Sequence, residues 1–160
     1  MNLQKILLAL LASSLLAVSS VSAQVSIGAG FANYKLDDNG FDAGVSGAAI
    51  DVTGRINKHL GYSVAAQFSG DDGFLELDHF FAGKLRGGIE VGEGFLFLSA
   101  GYGRASWSNK GIGFDFDVDV GLLGGGYEIF FGKEKKWGAG IEFSTGSGIR
   151  QTMGTVRYRF

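Results

Sequence analysis

The chain ends on the sequence TMGTVRYRF, residues 152–160, and this stretch decides the fold. Its even-numbered residues are uncharged and finish on two aromatic side chains, Tyr158 and Phe160. Two arginines, Arg157 and Arg159, occupy odd-numbered positions. A period of two residues places the two sets of side chains on opposite faces of a β-strand. The sequence therefore predicts that the chain closes on a strand with one uncharged face and one charged face.

The same alternation recurs toward the N-terminus, and no segment after Ala23 has a sustained helical period. Eight segments carry uncharged, mostly apolar residues at every second position: Val25–Phe31, Ala48–Ile56, Tyr62–Phe68, Leu75–Leu85, Leu96–Tyr102, Ile112–Leu122, Trp137–Phe143 and Thr152–Phe160. Within these segments and at the residue directly after each, charged residues occur only at the alternate positions: Asp51, Arg55, Glu76, Asp78, Lys84, Arg86, Asp115, Asp117, Asp119, Glu142, Arg157 and Arg159. Clusters of Gly, Asn, Asp, Ser and Lys separate the segments, as turns do. The pattern predicts an all-β, eight-stranded antiparallel up-and-down barrel.

The composition excludes several classes of protein. The 160 residues contain no cysteine, which rules out disulfides, thiolate metal sites and a cysteine nucleophile. Basic residues number 14 and acidic residues 16, so no basic surface for nucleic acid is predicted. The 28 glycines are too many for a helical protein. One domain is expected at this length, with no cofactor.

The first 23 residues have the organisation of a secretory signal peptide. Lys5 makes the start positive, residues 6–18 form a short apolar core, and Val21 and Ala23 occupy the positions that a signal peptidase reads. The core is shorter than the roughly 18 apolar residues of a transmembrane helix. We expect a cleavable signal peptide over residues 1–23 and a barrel domain over residues 24–160.

Alternation alone does not say which face of the barrel meets its surroundings. A soluble, lipocalin-like barrel would turn the apolar face inward. The charged face here also carries small residues, such as Ser26, Gly28 and Ala65, which suit the narrow interior of an eight-stranded barrel. Aromatic residues such as Trp137 and Tyr158 lie near strand ends, as in the girdles of membrane barrels. The sequence favours a transmembrane barrel, and a secreted soluble barrel is the alternative.

The terminal strand, with Tyr158 and Phe160, resembles the C-terminal assembly signal of Gram-negative outer-membrane proteins. Residues 24–160 as a whole resemble the small eight-stranded outer-membrane barrels of the opacity-type, OmpA/OmpX-like group. The resemblance implies an integral, monomeric protein of the Gram-negative outer membrane, in contact with membrane lipid and lipopolysaccharide. It further implies insertion by the barrel-assembly machinery through the last strand, with both termini in the periplasm.

Charges inside a narrow barrel need partners, because an unpaired buried charge is very unfavourable. An eight-stranded barrel is just wide enough for side chains to fill. The sequence therefore predicts a plugged lumen in which Arg157 and Arg159 face carboxylates such as Glu142. The predicted ion-pair network comprises Asp51, Arg55, Glu76, Asp78, Lys84, Arg86, Glu142, Arg157 and Arg159. A conducting pore is the alternative.

No metal site or catalytic motif is predicted. Asp115, Asp117 and Asp119 are not followed by the Gly and Glu of an EF-hand loop, which leaves a weak divalent-cation site at the rim as an alternative. Some small outer-membrane barrels modify lipid A, and one type uses a His, a nearby Ser and an acid on the outer wall. His59 falls in a predicted turn, and His79 falls in a lipid-facing set with no Ser within two positions.

The sequence thus predicts a non-enzymatic outer-membrane barrel that is structural in the envelope or makes surface contacts through short outer loops. Trp107 and Phe74 are the aromatic residues expected at the bases of those loops, where they would be available for contact. A lipid A-modifying enzyme is the alternative function, and its activity would then depend on His79.

Overall fold

The computed structural model describes residues 24–38, 41–71, 75–109, 111 and 113–160, without the side chains of 37–38, 41–43, 69–71, 75 and 109. Eight strands follow one another along the chain: β1 (Gln24–Asp38), β2 (Phe41–Arg55), β3 (Leu60–Asp71), β4 (Leu75–Val91), β5 (Gly94–Asn109), β6 (Phe114–Phe131), β7 (Trp137–Gly146) and β8 (Ile149–Arg159). The predicted signal peptide and Phe74 lie outside the described residues. No helix able to span a membrane occurs in the described part of the chain.

Each strand pairs antiparallel with the next strand along the chain, and β8 closes the sheet on β1. In the closing pair, Ser26 lies opposite Arg159 and Leu36 lies opposite Ile149. A closed sheet leaves no strand edge with unpaired backbone groups. The predicted eight-stranded up-and-down antiparallel barrel is confirmed.

The two ends of the barrel are distinct. Because the number of strands is even, Gln24 and Phe160 lie at the same end, which we call the terminal end. The turns at 56–59, 92–93 and 132–136 lie at this end as well. The other end, which we call the distal end, carries the connections that follow β1, β3, β5 and β7.

Apolar side chains cover the outer wall in the half of the barrel nearer the terminal end. Leu98 is 75% exposed and Phe31 is 74% exposed. Other strands add large apolar side chains to this zone, which we call the apolar belt: Leu85, Leu123, Ile141, Phe143 and Val156. In the same half, the charged residues Asp51 and Arg157 point inward and are buried. Here the predicted distribution, apolar outside and charged inside, is confirmed.

In the distal half the distribution is reversed. Buried apolar residues fill the interior and form what we call the distal core: Tyr34, Val45, Leu77, Phe80, Ala82, Ala105, Trp107, Val120, Leu122 and Ile149. The outer wall at this level is polar, with exposed Asn33, Ser46, Asp78, Arg104, Asp117, Asp119, Thr145 and Arg150. The prediction that Trp107 is available for contact is wrong, because its side chain is completely buried against Tyr34, with ring centroids 5.4 Å apart.

β6 has the opposite face assignment to the predicted one. The sequence predicts that the even-numbered residues of Ile112–Leu122 face lipid, whereas Val120 and Leu122 are buried in the distal core. The outward positions carry acids that were predicted to face the lumen: Asp115, Asp117 and Asp119. With 18 residues, β6 extends well beyond the apolar belt. Its distal part therefore follows the rule of a soluble barrel, with apolar residues inside and charges outside.

β4 changes face at a bulge. The pairing of β4 with β5 shifts register between Leu77 and His79, which leaves Asp78 without an opposite residue. An extra residue in one strand reverses the faces on one side of it. Leu77, predicted to face lipid, is therefore buried in the distal core, and Asp78, predicted to face the lumen, is exposed outside. Asp78 accepts a hydrogen bond from the Ser108 hydroxyl at 3.3 Å.

Candidate functional sites in the lumen and on the outer wall

The lumen in the terminal half holds a network of buried charges. Among the described residues, three carboxylates and three cations are buried: Asp51, Glu128, Glu142, Lys84, Arg86 and Arg157. They come from β2, β4, β6, β7 and β8, so they meet across the barrel interior. Equal numbers of opposite charges make the buried set neutral overall. Pairing of this kind offsets much of the cost of removing charges from water.

Arg157 on β8 joins two of the carboxylates. Its Nη2 donates to Oδ2 of Asp51 at 2.6 Å, and its Nη1 donates to Oε2 of Glu128 at 2.5 Å. Its Nε donates to the Thr155 hydroxyl at 2.9 Å. Each nitrogen of this guanidinium therefore has an acceptor, although only 1% of the residue is exposed.

Glu142 on β7 accepts hydrogen bonds from the other two buried cations. Lys84 Nζ donates to Oε1 of Glu142 at 2.8 Å, and Arg86 Nη2 donates to Oε2 at 2.7 Å. The Ser99 hydroxyl also donates to Oε1, at 3.0 Å. Arg86 Nη1 reaches Oε2 of Glu128 at 3.2 Å. Arg86 thus links the Glu142 group to the Arg157 group in one continuous network.

Arginine side chains also pack on aromatic rings inside the barrel. Three guanidinium carbons lie 4.2, 3.9 and 3.5 Å from ring centroids, and the pairs are Arg55 with Phe95, Arg86 with Phe97 and Arg159 with Phe130. The quadrupole of an aromatic ring attracts a cation over its face, more strongly where water is excluded. These rings therefore give the three arginine side chains near the terminal end a further favourable contact.

The structure brings together some of the predicted network and separates the rest. Arg157 contacts Asp51 and Glu128 rather than Glu142, and the Arg159 guanidinium lies over a ring rather than beside a carboxylate. Arg55 donates to Glu90 at the terminal end, at 3.0 Å, and its Nε lies 3.5 Å from Oε1 of Glu128, which connects it to the network. The two predicted acids of β4 do not join the buried set, because Glu76 is half-buried at the distal end of the strand and Asp78 lies outside the barrel.

Glu128 is the network member that the sequence analysis missed. It follows the segment of β6 that was assigned to lipid, and its even number gives it the same face as Val120 and Leu122. A charge within the apolar belt is costly on the lipid side. Glu128 therefore fixes the even-numbered face of β6 as the inner face, and this signal was available in the sequence.

Two glycines make room for the network. A Cβ on Gly28 would lie 2.0 Å from Oδ1 of Asp51, and a Cβ on Gly140 would lie 2.8 Å from Cζ of Arg157. Both distances are too short for any side chain, so the charged groups occupy the space that a side chain would need. The abundance of small residues on the charged face is thus a condition for fitting this network into eight strands.

Side chains leave little free space at the terminal mouth of the lumen. The cavity there measures about 10 Å³ and is lined by Ser26, Thr53, Arg55, Arg86, Phe95, Glu128, Phe130 and Arg159, among others. That volume holds about one water molecule. At the distal side, the Tyr34, Phe80 and Trp107 rings of the distal core fill the interior.

A second polar cluster lies on the outer wall, just beyond the apolar belt. His79, Ser106 and Asp117 lie opposite one another on β4, β5 and β6. The Ser106 hydroxyl oxygen is 3.0 Å from Nε2 of His79, and the hydroxyl donates to Oδ1 of Asp117 at 2.6 Å. No Ser lies within two positions of His79 along the chain, yet Ser106 is beside it across the sheet.

Arg104 supports the acid of this cluster. Its Nη2 donates to Oδ2 of Asp117 at 2.7 Å, and its Nε is 3.7 Å from Oδ1 of Asp119. No group of three or more His, Cys, Asp or Glu side chains is arranged to hold a metal ion among the described residues. Asp117 and Asp119 are therefore engaged by Arg104 and Ser106.

The contacts of His59 stabilise a turn. It lies in the turn between β2 and β3, where its backbone N donates to Oδ1 of Asn57 at 2.8 Å. Its Nδ1 is 3.2 Å from the carbonyl oxygen of Gly88 on β4. These contacts fix the turn at the terminal end and bring no acid or hydroxyl to the imidazole.

The last residues of β8 form an aromatic patch on the outer wall at the terminal end. The Tyr158 ring lies 5.1 Å from that of Trp137 and 5.4 Å from that of Phe160. The backbone N of Phe160 donates to the carbonyl of Val25 at 3.1 Å, which ties the chain end to β1. Phe160 itself is 75% exposed.

Comparison with known proteins identifies the fold. No family model matches the sequence, and no curated protein matches it. The solved structures that are similar to this chain include two that each match 86% of it. Neisserial surface protein A is 15% identical, with 95% of its chain covered and a TM-score of 0.60. Ail, the attachment invasion locus protein of Yersinia pestis, is 15% identical, with 97% of its chain covered and a TM-score of 0.51. The predicted resemblance to the small eight-stranded outer-membrane barrels is thereby confirmed at the level of the fold.

Proposed function

We propose that this chain is an integral outer-membrane barrel that presents a polar distal rim outside the cell and encloses a sealed lumen. The observation that carries the proposal is the change in the outer wall from apolar to polar partway along the strands. On β5, for example, the outward residues run from exposed Leu98 and Tyr102 in the belt to Arg104 beyond it. Such a belt is suited to hydrocarbon and would be an aggregation hazard in water.

The orientation follows from the chain ends. In this class of barrel the termini face the periplasm, which would place the lysine-bearing turn at 132–136 in the periplasm and the distal rim outside. The rim then offers Asp78, Arg104 and Asp117 to the surroundings, all of them on an exposed polar wall. The similarity in fold to Neisserial surface protein A and to the attachment invasion locus protein of Yersinia pestis supports this placement.

The filled lumen supports an anchoring or surface-contact role over a transport role. Arg157, Asp51 and Glu142 occupy the centre of the barrel, and each is at least 98% buried. The distal core lies above them. A path for solutes would require several buried ion pairs to separate, at a cost of several kcal/mol each. The proposed roles are therefore envelope structure and contact through the rim.

The proposed partners follow from the surface. The belt contacts membrane lipid, and the polar rim contacts lipopolysaccharide. The exposed Phe160, beside Tyr158, provides the C-terminal signal for the barrel-assembly machinery. The signal peptide over residues 1–23 brings the chain to the periplasm. A monomer satisfies all strand edges by itself, because the sheet is closed.

Cell fractionation tests the proposal. Expressed with its own N-terminus in a Gram-negative host, the chain is expected in the outer-membrane fraction, resistant to washing with alkaline carbonate, and starting at Gln24. The same chain with Leu98→Asp and Val156→Asp on the belt is the comparison, and it is expected to fail to insert. Recovery of the unmodified chain in the soluble periplasmic fraction would support the soluble-barrel alternative and overturn the proposal.

The sequence predicts no enzymatic activity, and that expectation remains a prediction. One observation favours the alternative of a lipid-modifying enzyme, namely the contact between His79 and Ser106 on the outer wall. The sealed barrel serves equally well as a scaffold for chemistry on its outer surface, so the two roles are compatible.

A further inference from the structure

Three side chains on adjacent strands form a continuous polar chain on the outer wall of the barrel. Ser106 on β5 lies opposite His79 on β4 and opposite Asp117 on β6. The residues are 27 and 11 positions apart in sequence, so only closure of the sheet brings them together. Ser106 and His79 are half-buried, whereas Asp117 is exposed. The hydroxyl thus lies between an imidazole and a carboxylate, at a place open to the surroundings.

The distances suit activation of the hydroxyl. Ser106 Oγ is 3.0 Å from Nε2 of His79, which is within reach for transfer of a proton to a general base. The hydroxyl has one proton and two acceptors, and in the structure it donates to Asp117. Rotation about the Cβ–Oγ bond turns this proton to Nε2 of a neutral His79. Asp117 keeps its other oxygen on Arg104 throughout.

The position on the wall indicates the kind of substrate. The His79 ring lies 5.0 Å from that of Phe81, and Phe81 lies 6.2 Å from Phe68, so the imidazole borders an aromatic patch. On the neighbouring strand, Tyr102 precedes Arg104 and Ser106 on the same outward face and is 58% exposed. The cluster therefore lies where the apolar belt gives way to polar wall. In a membrane this is the level at which acyl chains join their head groups.

We propose that Ser106 and His79 form a nucleophile–base pair that hydrolyses a carboxylic ester of an outer-leaflet lipid. The substrate class rests on the proposed membrane placement, whereas the chemistry of the pair does not. The acyl chain would lie along the belt beside Phe81 and Phe68, and the ester carbonyl would lie at Ser106. Ester links at this depth join acyl chains to the polar part of membrane lipids.

The reaction consumes ester and water and yields a carboxylic acid and an alcohol. Ser106 Oγ bonds to the carbonyl carbon while its proton passes to Nε2 of His79. The carbon–oxygen bond to the alcohol then breaks, and the alcohol takes the proton from Nε2. Water attacks the acyl-Ser106 ester and gives its proton to Nε2, which returns a proton to Oγ as the acid leaves. Ser106 and His79 end in their starting states.

Asp117 is a positioning residue in this scheme, because it touches the Ser106 hydroxyl and not the ester. Its contact differs from that of a Ser-His-Asp triad, in which the acid bonds to the other imidazole nitrogen. Its negative charge lies close to the imidazole and favours the imidazolium that forms during attack. Arg104, two residues before Ser106 on the same face of β5, supplies a positive charge on this wall and holds Asp117 in place.

The test uses the purified full chain in detergent and in vesicles, with three probes. A fluorophosphonate reports on the nucleophile by covalent labelling, located by peptide mass spectrometry. A short-chain p-nitrophenyl ester tests the chemistry without a membrane. Vesicles of phosphatidylethanolamine with lipopolysaccharide test the substrate class, with released fatty acid measured by mass spectrometry. Heat-dependent gel mobility verifies that each variant is folded.

Wild-type protein is expected to be labelled at Ser106, and the variants Ser106→Ala and His79→Ala to lose label and lower turnover by about 100-fold or more. Asp117→Asn is expected to lower kcat about tenfold with KM unchanged. The matched control is Ser46→Ala, which removes an exposed outer-wall hydroxyl that accepts from Asn33 at 3.0 Å and has no histidine contact. It should leave turnover and labelling unaltered.

Absence of labelling and of hydrolysis with every probe would overturn the proposal, as would activity that survives Ser106→Ala. Cleavage of the soluble ester but not of the vesicle lipids would overturn the lipid assignment. These outcomes are independent of fractionation, so failure of the ester chemistry and failure of the proposed membrane location are distinguishable.

Discussion

Gly28 lies so close to Asp51 that a side chain on it would overlap the carboxylate, with a Cβ only 2.0 Å from Oδ1. We expect Gly28→Ala to destabilise the barrel by about 1–3 kcal/mol, because overpacking forces the buried pair apart. The measurement is the urea midpoint of the refolded protein in vesicles. Gly83→Ala is the control, because its Cβ would have nothing within 4 Å. Equal stability of the two variants would contradict this account.

Arg157 neutralises two buried carboxylates at once, those of Asp51 and Glu128. Arg157→Met keeps much of the volume but leaves an excess of negative charge inside the barrel. We expect a loss of about 3–5 kcal/mol in the free energy of unfolding, the usual cost of breaking a buried pair. Urea unfolding in vesicles measures it.

The control for that variant is Lys136→Met, which removes an exposed pair with Glu134 at 2.6 Å. Exposed pairs contribute about 0–1 kcal/mol. A loss for Arg157→Met no greater than for Lys136→Met would mean that the network does not stabilise the fold.

At the scale of single strands, alternation predicted which segments are strands but not which face is inside along their whole length. Phe31 and Leu98 follow the predicted assignment because the apolar belt surrounds them. Val120 and Leu77 do not, because they lie beyond the belt, where an apolar side chain belongs inside. Period-two alternation is the same in both environments, so it does not show where the inner face changes from charged to apolar residues. A second feature of the sequence is needed to show that change. Glu128 supplies that feature for β6, whereas the bulge at Asp78 leaves none in the sequence.

Cysteine labelling tests the face assignment of β6. The chain has no cysteine of its own, so a single introduced thiol reports its own position. With a membrane-impermeant maleimide on intact cells, Asp119→Cys is expected to label and Val120→Cys to be protected until the barrel unfolds. Leu98→Cys on the belt is expected to be protected by lipid. Labelling of Val120→Cys with protection of Asp119→Cys would restore the face assignment predicted from alternation.

The pair of His79 and Ser106 could not be found from the spacing of residues along the chain. The contact depends on the register of β4 against β5, which runs unbroken from Val91 opposite Gly94 to His79 opposite Ser106. The bulge lies just beyond this pair, at Asp78, and shifts only the residues on its distal side. The contact is therefore found from the register of the hairpin and not from the separation of His79 and Ser106 along the chain.

For the molecule as a whole, the sequence was sufficient to predict eight strands, their order and closure, and the presence of charges inside. It did not predict which charged residues pair, because partners such as Arg157 and Asp51 are 106 residues apart and meet over Gly28 of β1, the strand that lies between theirs. Side-chain reach and the positions of small residues such as Gly140 decide the pairing. Those depend on the curvature of the closed sheet.

The proposed sealed lumen predicts that the barrel does not conduct. Reconstituted in a planar bilayer, the protein is expected to give no stable current step above that of bilayers treated with detergent alone. The physical reason is that the ion pairs of Arg157 and Glu142 and the rings of the distal core fill the cross-section. A recurring open level of constant size would show instead that the lumen is a pore.

The point at which the apolar belt gives way to the polar rim sets the height of the apolar outer wall. On β5 the outward apolar residues run from Leu96 to Tyr102 and are followed by Arg104. The six steps from Leu96 to Tyr102, at roughly 3.4 Å each, span about 20 Å along the strand, and less across the bilayer because strands of such barrels are tilted. A typical hydrocarbon layer is about 30 Å thick, and the bacterial outer membrane is thinner than average. In a thick bilayer, either the lipid must compress around the protein or Arg104 and its acidic neighbours must enter hydrocarbon. With the proposed membrane placement, the position of Arg104 would therefore restrict this barrel to thin membranes.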